Sequence, residues 1–399
     1  MKFWKRAFCW AMLGALCLPL WGCATAQAGE AVDYMKEITP APPAAGKRNP
    51  EARADFAVRL LKSSRESGTC VIAPDTVYRV LAMLANGAAG ETRAQMEAFL
   101  GGQIRDINRS AAETPGPEAL TYNALWLNQK EHFEVREDFL QTNADFWGAE
   151  IFGAPFSEET RKDINRRVAA ATKDRIPELL DSLDPAAALY LISALAFDAE
   201  WETPFREDQI YEGIFHGTKG DEPALMMESR ENLYLEDGST TGFLKNYRGG
   251  RYCFLALLPG EGMTVEEYIE TLTGERLLET VRSAQEEPVR ITLPKFEAET
   301  SLELSPALSG LGMDLAFSDD ADFSGISDTE LRIGRILHQT RLKVDELGTK
   351  AGAAAAAEVV FKCALLHEKT VTLDRPFLMG VFDREQEDFL FLGAIDSVG

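Results

Sequence analysis

The chain has 399 residues, 45% hydrophobic and 26% charged, enough for one large core or two ordinary ones and too apolar for a disordered or fibrous protein. Its formal charge is −23, and about −26 without Lys2, Lys5 and Arg6 of the N-terminal segment. That excludes nucleic acid and anionic lipid headgroups as natural partners, and fits a solubilising acidic surface or a basic partner.

Lys2, Lys5 and Arg6, an apolar run over 7–20 and the small residues that follow have the build of an export signal over residues 1–22. The run is short for a membrane span and nothing comparable follows it. Two exits compete. Leu20-Trp21-Gly22-Cys23 resembles the bacterial lipoprotein box, and Ala26-Gln27-Ala28 fits ordinary signal cleavage. The first is favoured despite the bulk of Trp21, which makes Cys23 a lipidation site and the protein an envelope-anchored one; the second makes it freely secreted. Residues 23–50, rich in Ala, Pro and Gly, read as a flexible stalk.

Residues 51–399 show no repeat or linker and read as one domain. Residues 76–84 place Val77, Val80, Leu81 and Leu84 at helical spacing behind Ala73-Pro74-Asp75, whose proline and aspartate favour a helix start. Further helices are expected over 92–100 and 163–171. Short apolar or β-branched runs at 119–127, 188–197, 251–258, 289–293 and 339–344 read as strands, and 377–382 with 389–395 as a hairpin over the charged turn 383–388. Early helices followed by many antiparallel strands imply an α+β fold.

Beyond the signal lie Cys23, Cys70, Cys253 and Cys363, with His132, His216, His338 and His367 scattered, so no zinc-ligand spacing exists. Cys70 and Cys253 sit in apolar runs and read as small buried hydrophobes. No nucleophile trio, phosphate loop or cofactor motif stands out, so an enzyme is disfavoured and no cofactor or metal is expected. Asn108-Arg109-Ser110 is a glycosylation sequon for a eukaryotic host, which the lipobox argues against.

Five runs, in order, resemble the serpin family of protease inhibitors over about residues 50–399: the stretch from Asn86-Gly87-Ala88 to Met96, Asn123-Ala124-Leu125-Trp126, Phe197 to Phe205 with Trp201 and Pro204, Leu311-Gly312-Met313 with the run from Ala321 to Ile326, and Asp374-Arg375-Pro376-Phe377-Leu378. The resemblance implies a large central mixed β-sheet with two smaller sheets, about eight or nine helices, an exposed reactive-centre loop at about 346–370, and a monomer whose partner is a serine protease.

Its most specific part is Asp345-Glu346-Leu347-Gly348-Thr349-Lys350-Ala351-Gly352-Ala353 and the four alanines that follow, similar to the hinge of inhibitory serpins. Alanine is the best helix former, so a surface helix is the rival reading, and Gly348 and Gly352 argue against a long one. Side chains alternate along a strand. From Thr349 one face carries Thr349, Ala351, Ala353, Ala355, Ala357 and Val359, all uncharged, while Lys350 and Glu358 share the other. That segregation suits a strand inserted into a packed sheet.

By resemblance, counting from Glu346 puts the bait at Lys362 and the cut before Cys363, which suits a trypsin-like protease with an acidic pocket. A shift of register toward Leu365 or Leu366 would suit a chymotrypsin-like one. Lys295 matches the partner of the hinge glutamate, Trp201 the residue covering the entry gap, and His338 and Thr76 a polar cluster under the central strands. Ala73 replaces the family's usual serine and Ser193 its asparagine, so this cluster is expected to be depleted; Cys363 stands where serine is usual and raises the prospect of redox control. A serpin fold acting only as a binding protein is the alternative function. The small uncharged hinge disfavours it.

Overall fold

The computed structural model describes residues 31–41, 46–111, 115–129, 133–349 and 368–399. Nine α-helices occur among them: α1 (Pro50–Ser64), α2 (Pro74–Ala85), α3 (Gly90–Leu100), α4 (Ile104–Ser110), α5 (Glu137–Trp147), α6 (Glu158–Ala171), α7 (Val265–Thr271), α8 (Gly274–Arg282) and α9 (Ser305–Leu308). The first nine strands are β1 (Val32–Asp33), β2 (Cys70–Ile72), β3 (Ala119–Asn128), β4 (Glu150–Ala154), β5 (Leu189–Phe197), β6 (Ala199–Glu200), β7 (Ile210–Gly217), β8 (Gly220–Glu231) and β9 (Tyr234–Glu236). They are followed by β10 (Thr240–Asn246), β11 (Tyr252–Pro259), β12 (Val289–Pro294), β13 (Phe296–Glu303), β14 (Arg335–Val344), β15 (Gly348–Thr349), β16 (Lys369–Thr372), β17 (Phe377–Asp383) and β18 (Asp388–Ile395).

The central sheet runs β1-β4-β3-β5-β14-β13, a second six-stranded sheet β2-β18-β17-β11-β10-β9, a third β16-β12-β8-β7, and β15 pairs with β6 alone. The central sheet is mixed: β3 with β4 and β5 with β14 are parallel, the rest antiparallel. Every residue of β5 is buried, which is why Leu-Tyr-Leu-Ile-Ser-Ala-Leu-Ala-Phe reads as a continuous apolar run. Leu125 and Leu127 of β3 face the helical core with α1 and α2; Tyr122, Ala124 and Trp126 face Ile164 and Val168 of α6. In β11, Cys253, Leu255 and Leu257 join the helical core while Phe254, Ala256 and Leu258 pack toward the third sheet.

Helix α2 is buried throughout, so it is apolar on nearly all sides. Its two charges are matched: Asp75 Oδ2 accepts from Arg79 Nε at 2.7 Å, and Asp75 also pairs with Arg53. Proline at its first position and a non-helical Ala73 set its start. The expected hairpin at the C-terminus forms β17 and β18, and Asp383 Oδ1 accepts from the Glu385 and Gln386 amides to fold its turn.

Within the segment read as a stalk over 23–50, residues 31–41 lie along the sheet edge. Val32 and Asp33 pair with Gly153 and Phe152, and the Tyr34 amide donates to Ile151 O at 3.0 Å. Tyr34, Met35 and Ile38 pack on the helical core, and Gln141 Nε2 donates to Thr39 O at 3.0 Å. A Cβ on Gly153 would meet the Tyr34 hydroxyl at 2.5 Å, so the glycine makes room for the ring. Edge pairing needs only backbone groups, and composition cannot report it.

Candidate functional site

The site begins where a strand is missing. The β5–β14 ladder ends at Ala196↔Arg341; β5 continues to Phe197, and β14 continues to Val344 paired with β13 only. The splayed ends enclose a cavity of about 330 Å³ lined by Asp174, Arg175, Ala196, Phe197, Glu297, Arg341, Lys343 and Thr349. Glu297 holds Arg341 through Arg341 Nε at 2.6 Å, and Arg341 Nη1 donates to Arg175 O at 2.9 Å, closing the lower rim.

The chain then reverses over this gap. The Asp345 amide donates to Gly348 O at 2.9 Å, the Gly348 amide to Asp345 O at 3.3 Å, and the Leu347 amide to Asp345 Oδ1 at 2.9 Å. Gly348 has φ +146°, and a Cβ there would meet Ala199 O at 2.2 Å, so the turn requires glycine. Thr349 pairs with Ala199 in β15–β6, is 1% exposed, and shares a 2.8 Å hydrogen bond between its Oγ1 and the Tyr247 hydroxyl. Because β5 and β14 are parallel, a chain returning from β14 is antiparallel to both. It can build a ladder on each side if the pair separates.

The structure brings Lys295, Glu346, Trp201 and Thr349 together around this turn. Lys295 Nζ lies 2.6 Å from Glu346 Oε2. Burial raises the Glu346 carboxyl, but the Lys295 hydrogen bond and charge outweigh it and leave it below its ordinary value. Trp201 stacks on Tyr247, with centroids 4.4 Å apart and planes at 14°. Its Nε1 donates to Asp345 O and its amide to Leu347 O, each at 2.9 Å, while the Phe205 amide donates to Glu346 O at 2.9 Å.

Two participants escape sequence reasoning. Tyr247 is the floor under Trp201 and Thr349. Lys245, 1% exposed, bonds Glu231 at 2.6 Å and Thr203 O at 3.0 Å, and its ammonium sits 5.4 Å from the Trp201 ring centre and 4.6 Å from that of Phe205. A lysine inside the apolar strand pattern of residues 240–246 is the signal that marks it.

Lower down the same strand pair, His338 and Ser193 are register partners across β14–β5. The Ala73 amide donates to His338 Nε2 at 3.0 Å, which places the ring proton on Nδ1, 3.1 Å from Ser193 Oγ. Ser193 donates to Thr76 Oγ1 at 2.8 Å, and Thr76 donates to Ala73 O at 2.9 Å. The hydroxyl of Ser193 bridges ring and threonine, while Ala73, without a hydroxyl, contributes only its backbone groups.

Burial pushes His338 down to about 4. Its folded value lies below its ordinary 6.5, so its contribution is complete above pH 6.5 and is lost as pH falls toward 4. The loss is on the order of 3 kcal/mol. The Tm difference between wild type and His338→Gln is expected to shrink steadily from pH 7 to pH 4; a constant difference contradicts this.

Cys70 and Cys253 are buried free thiols, both pushed up to about 11 by burial, as inert core residues would be. Asn108 is buried, donating to Asn86 Oδ1 at 2.7 Å and accepting from Trp147 Nε1 at 2.8 Å, so its sequon offers no free amide. Ala351, Ala353, Lys362, Cys363 and Cys23 lie outside the described residues.

The family profile described as Serpin (serine protease inhibitor) matches residues 51–397. Serpin B6 of Pongo abelii is 30% identical over 371 residues, covering 87% of this chain and 98% of that protein. Leukocyte elastase inhibitor A of Mus musculus is 30% identical over 369 residues, covering 86% and 97%. Among solved structures, the thermophilic serpin tengpin in its native state is 36% identical with a TM-score of 0.88, covering 93% of this chain and 100% of that one. Tengpin in its latent state is 38% identical with a TM-score of 0.77, covering 89% and 100%. With this fold, this hinge geometry and a family match from the first helix nearly to the last residue, the chain belongs to the serpin family of serine protease inhibitors.

Proposed function

We propose that this serpin is a single-use inhibitor of a trypsin-like serine protease, with Lys362 as bait. The protease serine attacks the Lys362 carbonyl carbon, the bond to the Cys363 nitrogen breaks, that nitrogen leaves as an amine, and an ester links Lys362 to the enzyme. The freed chain from Lys350 onward then enters between β5 and β14 before water reaches the ester. The observation that carries this reading is Thr349, buried at the mouth of the gap and followed by a face made only of small uncharged residues. The greater likeness to native than to latent tengpin agrees with a β5–β14 ladder that is still closed.

Incubation with trypsin and with chymotrypsin, followed by N-terminal sequencing of the fragment released from the complex-forming enzyme, tests the cut: a start at Cys363 supports Lys362, and a start at Leu366 or His367 overturns it. Lys362→Ala is expected to lower complex formation with trypsin more than tenfold, since the acidic pocket loses its partner at a cost of at least ~1.4 kcal/mol. Melting of the intact variant should match wild type.

We also infer export and anchoring through Cys23, supported by the charged, apolar and small segments before it. Labelled palmitate should enter the wild-type protein in a bacterial host and be absent from Cys23→Ala; equal labelling contradicts the anchor.

A further inference from the structure

A second site lies away from the gap. The N-terminal end of α1, α2, α4 and the β17–β18 turn enclose a cavity of about 290 Å³. Its charged lining is Lys47, Arg48, Arg53, Arg79 and Asp106. Arg53 is matched by Asp75 and Asp388, with Arg53 Nε 2.7 Å from Asp388 Oδ2, and Arg79 by Asp75 at 2.7 Å. Asp106 has Arg105 at 3.5 Å and Arg109 at 3.8 Å. Arg48, half-buried, makes no ion pair or hydrogen bond among the described residues. Burial and the charges of Arg53 and Arg79 act against its protonated form and outweigh the favourable charges of Asp388 and Asp75.

The rest of the wall mixes the polar side chains of Asn49, Gln103, Ser110 and Gln386 with apolar ones. Ala52, Ile107 and Ala111 line it with the rings of Tyr78 and Trp147. The Trp147 indole nitrogen is already used by Asn108, so the ring presents carbon. Arg48 also lines an open groove of about 670 Å³ with Lys47, Arg282 and the carboxylates of Glu51, Glu385 and Glu387, which gives a way in from solvent. A guanidinium with no direct partner among the described residues and two aromatic rings in the same lining match a ligand with one negative charge and a flat apolar body.

The geometry points to this cavity as a binding site for a small aryl carboxylate, its carboxylate on Arg48 and its body against Tyr78, Trp147 and Ile107. The site is independent of the inhibitory reading. Asp75, which holds both inner arginines, precedes Thr76 of the polar cluster in the first turn of α2.

Isothermal titration of the whole protein with phenylacetate, 2-phenylethanol and inorganic phosphate separates charge from body. Phenylacetate is expected to bind at least tenfold tighter than either of the others, and at least tenfold more weakly to Arg48→Gln than to wild type. Equal binding of 2-phenylethanol, phosphate as tight as phenylacetate, an unchanged Arg48→Gln or no saturable heat would each overturn the assignment. Should Arg48→Gln fail to fold, Ala111→Phe, which fills the cavity from its apolar wall, must abolish the phenylacetate signal; persistence of the signal would overturn the site.

Discussion

Thr349→Arg is expected to turn the proposed inhibitor into a substrate, with the yield of covalent protease complex falling at least tenfold and cleaved, released protein taking its place. Thr349 is enclosed, bonded to Tyr247, and faces a cavity whose lining already carries Arg175, Arg341 and Lys343 against Asp174 and Glu297. An arginine there buries an uncompensated charge at about 3–5 kcal/mol. If even part of that cost is present at the transition state for insertion, the step slows by one or more powers of ten. Water then reaches the ester first. Thr349→Ser keeps the hydroxyl and should inhibit normally, which separates the charge effect from loss of the Tyr247 hydrogen bond. Undiminished complex from Thr349→Arg would mean that the face starting at this residue does not enter the sheet.

Cleavage within residues 358–363 should raise the melting temperature by ~10 °C or more. The present central sheet joins β5 and β14 through one parallel ladder. An inserted strand replaces it with two antiparallel ladders, and antiparallel pairing is the more stable per residue. Backbone ordering opposes this at about 1–2 kcal/mol per residue, with each net hydrogen bond returning about 0.5–1.5 kcal/mol. The side-chain burial of the uncharged face therefore decides the sign, and a gain of several kcal/mol is what a rise of that size requires. Cut and intact protein melting together would mean that the loop stays out.

Strong periodic patterns were legible in the sequence. The buried run of β5, the apolar spacing of α2 and the C-terminal hairpin follow from hydrophobicity and turn residues alone. Phe296, Ala298 and Thr300 alternate with Glu297, Glu299 and Ser301 in β13, a strand signal that a search for apolar runs passes over. The β7–β8 hairpin, with exposed Tyr211, Ile214 and Leu225, was hidden because few of its residues face a core. β1 carries only two residues and pairs by backbone, so no pattern announces it.

The site was legible through family likeness more than through chemistry. Read bare, Lys295 is a surface cation, His338 a satisfied core histidine and Trp201 a core aromatic; the fold gives each a place around one parallel strand pair. What escaped was compensation. Ser193 is shorter than the residue usual in the family, yet it reaches both His338 and Thr76, because a hydroxyl can accept from one partner and donate to the other. Lys245 escaped because a buried ammonium between Glu231 and two aromatic rings depends on residues distant in sequence.

The most direct test of the account is the intact mass, under denaturing conditions, of the protein after mixing with trypsin. The account predicts a species equal to trypsin plus this chain ending at Lys362, accompanied by a free fragment beginning at Cys363. Free trypsin beside two cleaved fragments, with no such adduct, would contradict it.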